Sequence, residues 1–183
     1  FDAGAVVKLA CGGWTGLHLA AQVGADILQK YNISLSIITG VPSVNLLRRE
    51  AHLAIRNKKP DTPGLIAHKL DKVEFAVFGS KTLVERQPAA WDDRRYADCN
   101  WVMMAAERVV APSVRWLSQR LNCAPKIVTS DAQVLLAAAR SGQGLCVLPT
   151  FIGDRLPDMC KVSAPISELS HRQWLIQHKD DLH

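Results

Sequence analysis

No stretch of this chain approaches the roughly 20 consecutive apolar residues of a membrane-spanning helix, and no signal-peptide pattern opens it at Phe1. A membrane partner is therefore not expected. The cysteines, Cys11, Cys99, Cys123, Cys146 and Cys160, are odd in number and form no CxxC pair. That argues against a disulfide scaffold and for a reducing, cytoplasmic setting. The six histidines are scattered, with no cluster of Cys and His at the short spacing that zinc requires. Neither a metal nor another cofactor is expected. Also missing are a Gly-x-Ser-x-Gly elbow, a P-loop and an HExxH helix, so an enzyme has little to work with. The formal net charge is +5, yet no basic stripe interleaved with aromatics runs along the chain. Lysine and arginine come in small groups, Arg48-Arg49, Lys58-Lys59 and Arg94-Arg95, most of them beside acids. Such a mildly basic surface draws small anions without reading nucleic acid. No repeat at fixed period and no low-complexity segment is present.

What is present is a chain of 183 residues, 48% hydrophobic, with enough material for one large domain or two small lobes. Val6 to Ala10 reads as a buried strand, and Cys11 to Gly16 as a tight loop after it. Leu17, Leu19, Ala20, Val23, Ile27 and Leu28 follow helical spacing. Ile33 to Ile38 begins with strict alternation, a strand with one wetter face. Gly40, Val41 and Pro42 turn the chain, Ser43 can cap a short helix through Arg49, and Leu53 to Arg56 is a third strand. The order β-α-β-α-β with short turns predicts a mainly parallel sheet flanked by helices.

After a strand pattern at Val73 to Phe78, a polar irregular stretch from Gln87 to Arg95 leads to a second group of elements. Trp101 to Met104 starts it, Pro112 suits the first turn of a helix, and Lys126 to Val128 is a strand. Ser130 can cap the next helix, with Gln133 completing a capping box. Val134 to Ala139 is apolar enough to be largely buried, and Gly142 can end the helix in the left-handed conformation. Leu145 to Leu148 is a buried strand stopped by Pro149. Trp174 to Ile176 is a last strand. If it returns to the first group, two strands join the lobes and a cleft lies between them. Open α/β sheets bind ligands outside the carboxyl ends of their strands. In the first lobe that edge holds Cys11 to Gly16, Gly40 to Ser43 and the residues after Ile55.

Three segments, in order, resemble one family. They are Val7 to Ala10 with its loop and helix, Leu46 to Arg56 around Leu53-Ala54-Ile55, and Ala139 to Pro149 with its Gly142-Gln143-Gly144 run into Leu148-Pro149. The chain resembles the effector-binding (substrate-binding) domain of LysR-type transcriptional regulators over essentially its whole length. His52 departs from the pattern, standing where the family has an Asp before Leu-Ala-Ile. The resemblance implies a two-lobed, type II periplasmic-binding-protein-like α/β fold, each lobe a mainly parallel sheet. Residues 1–75 and 173–183 would form lobe I, and 76–172 lobe II. It further implies a small-molecule effector in the cleft, a homodimer or homotetramer, and control of DNA binding through the angle between lobes. DNA itself would be read by an N-terminal helix-turn-helix domain that this chain lacks. Both ends look like cuts through a longer protein, so an excised sensor domain is expected. A free-standing solute-binding protein of the same fold, or an enzyme using Cys11, are the alternatives.

The ligand loops implied for lobe I fall on Gly12, Gly13, Trp14 and Thr15 and on Gly40, Val41, Pro42 and Ser43, with Arg56 near the mouth. Those implied for lobe II fall on Met104, Ala105, Thr129 and Ser130. Thr15 and the Gly12-Gly13 turn offer a hydroxyl and backbone N–H groups at a helix N-terminus, which favours a carboxylate or phosphate; Thr15 can equally cap its own helix. Arg56 can clamp an anion or stay solvated. Trp14 can stack on an effector ring or pack on the other lobe. Cys11 precedes a helix N-terminus, a setting that lowers a thiol pKa, and is otherwise a small buried hydrophobe.

Overall fold

The computed structural model describes residues 5–23, 25–40, 44–104, 111–122 and 124–181. In chain order the elements are β1 (Ala5–Ala10), α1 (Gly13–Gln22), α2 (Ala25–Lys30), β2 (Ile33–Ile38), β3 (Leu53–Arg56), β4 (Leu65–Val73), β5 (Phe75–Ser80), α3 (Lys81–Arg86), β6 (Val102–Met104), α4 (Pro112–Ser118), β7 (Ile127–Thr129), α5 (Ala132–Arg140), β8 (Cys146–Pro149), α6 (Thr150–Gly153), β9 (Met159–Lys161) and β10 (His171–His178). The chain divides into two compact units, 1–72 with 171–183, and 73–170.

In the first unit the strand order is β2-β1-β3-β10-β4. β1 runs parallel to β2 from Ala5↔Ile33 to Ala10↔Ile38, and parallel to β3 at Leu9↔Leu53 and Ala10↔Ala54. β10 returns antiparallel to β3, with Trp174 opposite Arg56 and Ile176 opposite Ala54. Small residues at the centre decide how closely this sheet is covered. Ala10, Ala51 and Ala54 are buried with Leu46 and Ile176. On the helix side Gly16 lets α1 come down on the end of β2, since a β-carbon there would lie 2.5 Å from the Thr39 methyl. The residues expected to form a short helix before Arg49 make a turn instead. Asn45 holds it, its Oδ1 accepting from Leu47 N at 3.0 Å and Arg48 N at 3.3 Å. Ser43, expected to cap it, lies outside the described residues.

In the second unit β5 is central and nearly dry, with Ala76, Val77 and Phe78 at most 1% exposed. The parallel pairing expected here is found between β6 and β7 and at the bridge Trp101↔Leu145. β5 instead runs antiparallel to both β8 and β9. The core gathers Val77, Leu117, Leu145 and the ring group of Tyr96, Trp101 and Trp116. Tyr96 meets Trp101 edge-on at 5.2 Å between centroids, and the Trp101 indole N–H donates to the Tyr96 carbonyl at 2.8 Å.

Local rules explain the helix ends, with one correction. The cap of α5 is Asp131 rather than Ser130: its Oδ1 accepts from Gln133 N at 2.7 Å and Val134 N at 3.0 Å. A carboxylate is the stronger acceptor for first-turn amides and suits the positive end of the helix dipole. At the other end Gly142 takes φ +82°. Gly142 N donates to Ala139 O at 3.1 Å, and Gln143 N to Ala138 O at 3.1 Å, a Schellman arrangement. Gly144 serves a different purpose, because a β-carbon there would sit 2.7 Å from the Trp101 backbone. The Gly-x-Gly run is thus a helix stop followed by a close backbone crossing.

Candidate functional site

At the carboxyl ends of β1 and β3 the first unit assembles a small polar group. Gly12 caps α1 in extended conformation, φ −69° and ψ 157°, with no side-chain hydrogen bond to the first turn. The first-turn amides of α1 therefore have no side-chain partner of that kind. A β-carbon on Gly12 would meet nothing within 4 Å, and the same holds for Gly40, whose φ is +76°. The turn conformation requires glycine at Gly40. At Gly12 neither conformation nor packing does, so open space stands in front of that backbone.

Thr15 is the third residue of the helix, not its cap, and only 8% of it is exposed. Its Oγ1 accepts from Gln173 Nε2 at 3.1 Å, and the same nitrogen donates to Asn57 Oδ1 at 3.2 Å. Both Gln173 amide hydrogens are therefore committed, and the Thr15 hydroxyl, having accepted one bond, keeps its own proton to give. Gly13 is exposed and Trp14 half-buried on the same turn. Val41, Pro42 and Ser43 lie outside the described residues.

Arg56 ends β3 opposite Trp174, two residues from Ala54 and hence on the same sheet face as that core residue. Its Nη2 is buried and has no hydrogen-bond partner among the described residues. The structure does not bond it to Thr15. The residue that reaches Thr15 is Gln173, which is itself bonded to Asn57; both lie one position along from the Arg56–Trp174 pair. Neither carried a sequence signal. Gln173 lies 158 residues from Thr15, and only the return of β10 to this sheet brings them together.

Cys11 is 4% exposed against α1. Burial pushes its thiol up, and the opposing pull of the Arg56 charge is the weaker effect. Of the two readings of Cys11, its burial favours the small buried hydrophobe over the activated thiol.

In the second unit Met104 and Thr129 are register partners at the carboxyl ends of β6 and β7. Thr129 Oγ1 accepts from Asp131 N at 3.1 Å, which ties it into the turn that opens α5. Ser130 is exposed on that turn, and Ala105 lies outside the described residues. Met103 and Met104 also line a cavity of about 10 Å³ with Ser113, Val114, Leu117 and Leu135, room for about one water and no more. Among the described residues no group of three or more His, Cys, Asp or Glu is placed to hold a metal ion. Among them, too, no helix is long and apolar enough to cross a membrane.

Residues 3–183 match the LysR substrate binding domain family. No curated protein sequence matches significantly. Among solved structures the chain is similar to the regulatory domain of CrgA, a LysR-type transcriptional regulator from Neisseria meningitidis (TM-score 0.75, 21% identity, 97% of this chain and 90% of that one). It is also similar to full-length AphB, the Vibrio cholerae virulence activator of the same family (TM-score 0.68, 16% identity, 97% of this chain and 63% of that one). A third similar structure is full-length CbnR complexed with its target DNA (TM-score 0.64, 14% identity, 97% of this chain and 65% of that one). The chain thus spans a little under two thirds of these full-length proteins. These neighbours are transcriptional regulators, not enzymes, and the chain itself belongs to the LysR substrate-binding domain family, with its type II periplasmic-binding-protein-like α/β fold.

Proposed function

We propose that this chain is the effector-sensing part of a LysR-type transcriptional regulator and that its effector is a small anionic metabolite. Carrying the reading is the group at the sheet edge of the first unit. First-turn amides of α1 without a side-chain cap stand beside Thr15, whose hydroxyl accepts from Gln173 and keeps its proton for a ligand. Donors of this kind favour an oxyanion. Gly12, Gly13, Trp14, Gly40, Val41, Pro42, Ser43 and Arg56 complete the proposed contacts of this unit. Met104, Ala105, Thr129 and Ser130 of the second unit enter through the family resemblance. In the regulator, effector binding shifts the population of one conformation over another and so controls the DNA-binding domains of a cytoplasmic homodimer or homotetramer. DNA is contacted by a separate helix-turn-helix domain of the same protein. Supporting this reading, full-length CbnR, solved complexed with its target DNA, is longer than this chain, which covers 65% of it.

Thermal unfolding against a panel of small aliphatic and aromatic acids tests the reading. A compound present at about 100 times its dissociation constant adds roughly 2.7 kcal/mol to the folded state and raises the midpoint. The expected result is a selective rise with one class of acid, weakened in Thr15→Val. A panel that leaves the midpoint unmoved, or a rise untouched by Thr15→Val, counts against it.

A further inference from the structure

We infer that the second unit carries a binding site of its own, a cavity walled by Trp91 and Asp93 that takes a small organic ammonium ion. None of its residues belongs to the site proposed above for the effector. Two tight helical turns, Pro88–Trp91 and Asp93–Asp98, and the chain just after β9 line a cavity of about 500 Å³. Small-molecule sites occupy about 300–1,000 Å³, so a compact ligand fits. The inner wall is fixed. Tyr96 and Val162 on it are buried. Val162 N donates to Val77 O at 2.9 Å, and Val77 N donates to Ser163 Oγ at 2.9 Å, so this wall is stitched to the dry strand β5. The Ser163 hydroxyl gives its own hydrogen to the Ala164 carbonyl at 2.8 Å. The wall is thus formed before anything enters.

Charge decides what the cavity takes. Arg94 is held by Asp92, Nε to Oδ1 at 3.1 Å and Nη2 to Oδ2 at 3.3 Å, and Arg95 by Asp98 at 3.1 Å. Lys161, at the end of β9, is likewise paired with Asp154 at 2.9 Å. Asp93 is left over: among the described residues it forms no hydrogen bond or ion pair, so the cavity keeps one uncompensated carboxylate. Its charge is felt at the inner wall, where burial first and Asp93 second push the Tyr96 phenol up to about 12. On the same cavity stands Trp91, 58% exposed although Ala89 and Ala90 before it are buried. A lone exposed aromatic needs no explanation, but this one lines a cavity, and no cation of the described residues stands over its ring. An indole face and a free carboxylate on one cavity suit an alkylated ammonium group, since the ring quadrupole attracts a cation and the carboxylate adds Coulomb attraction. A small anion, suited to the first unit, meets repulsion from Asp93 here.

The test titrates choline against neohexyl alcohol, in which carbon replaces the ammonium nitrogen, at ionic strength fixed with sodium chloride, following the Trp91 indole N–H resonance. Choline is expected to bind roughly fivefold more tightly than the alcohol, with its shifts centred on Trp91 and Asp93. Asp93→Asn is expected to weaken choline by about threefold and to leave the alcohol unchanged. Trp91→Leu, followed at the Asp93 backbone amide, is expected to remove most of the preference for choline. Both side chains are exposed, so both variants are expected to keep the wild-type unfolding midpoint. No saturable shift, equal binding of the two probes, or a choline preference that survives both substitutions overturns the inference. Acetate, titrated in parallel, is expected to leave the Trp91 resonance unmoved; a saturable response there assigns the cavity to anions and overturns it as well.

Discussion

Thr15, Cys11 and Gly16 lie within six positions of one another and are decided by different forces. For Thr15 it is the hydrogen bond that Gln173 donates to it across the sheet edge. For Cys11 it is desolvation, which pushes the thiol up despite the Arg56 charge. Alkylation by iodoacetamide at pH 7.5 is therefore expected to label the half-buried Cys160 before Cys11 or the fully buried Cys146. Fast labelling of Cys11 would reinstate it as a reactive group. Gly16 is decided by packing, and Gly16→Ala places a methyl against Thr39 and Ile37. Overpacking of this kind costs about 1–3 kcal/mol, measurable as a lower midpoint in urea.

At the scale of elements, α5 shows how two neighbouring cap candidates separate. Asp131→Ala removes the acceptor for Gln133 N and Val134 N and is expected to cost about 1 kcal/mol, whereas Ser130→Ala stays within about 0.5 kcal/mol of wild type. Equal losses for the two would return the cap to Ser130. The far end of α5 is tied by Arg140, whose Nε donates to Asp158 Oδ2 at 2.7 Å. That bond holds the Asp158 carboxyl below its ordinary range. A carboxyl held low in the folded state stabilises it above the unfolded value and loses that contribution as pH falls through the folded one. Arg140→Gln is thus expected to be less stable than wild type at pH 7, with the gap closing as pH drops below the usual carboxylate range. Both side chains are more than 40% exposed, so the gap is small and narrows in salt. Urea midpoints of the pair measured from pH 7 to pH 2.5 check this.

Among the described residues the two units bury unequal cores. The first relies on Ala10, Ala51 and Ala54 with Leu46 and Ile176. The second buries Tyr96, Trp101, Phe78, Leu145 and Leu148 to 2% exposure or less. Large side chains contribute more burial and dispersion than alanines, and local opening follows the poorer core. Native-state hydrogen exchange is expected to be slowest at β5 and β8, and faster at β2, an edge strand whose side chains are mostly half-buried. Protection greatest in β1 and β3 would reverse that ranking. The proposed ligand contacts of the first unit suit a sensor, because an element that opens more readily is more easily biased by a small molecule.

What the sequence alone determined is local. The alternating strand at Ile33 to Ile38, the apolar helix ended by Gly142 and the buried run into Pro149 follow from periodicity and from single-residue conformational preference, which act over a few positions. The three spaced segments sufficed for the family because they sit where neighbouring elements meet. The tertiary structure decided the rest. Gly144 is glycine because the Trp101 backbone crosses it, and Thr15 has its side-chain partner because Gln173 arrives from the far end of the chain. β5 runs antiparallel to its neighbours because of where β8 and β9 enter the sheet, which no alternation within β5 records. Short-range patterns select helix or strand, but contacts between residues 158 apart form only when the sheet closes, so the chemistry of this site is written in its topology.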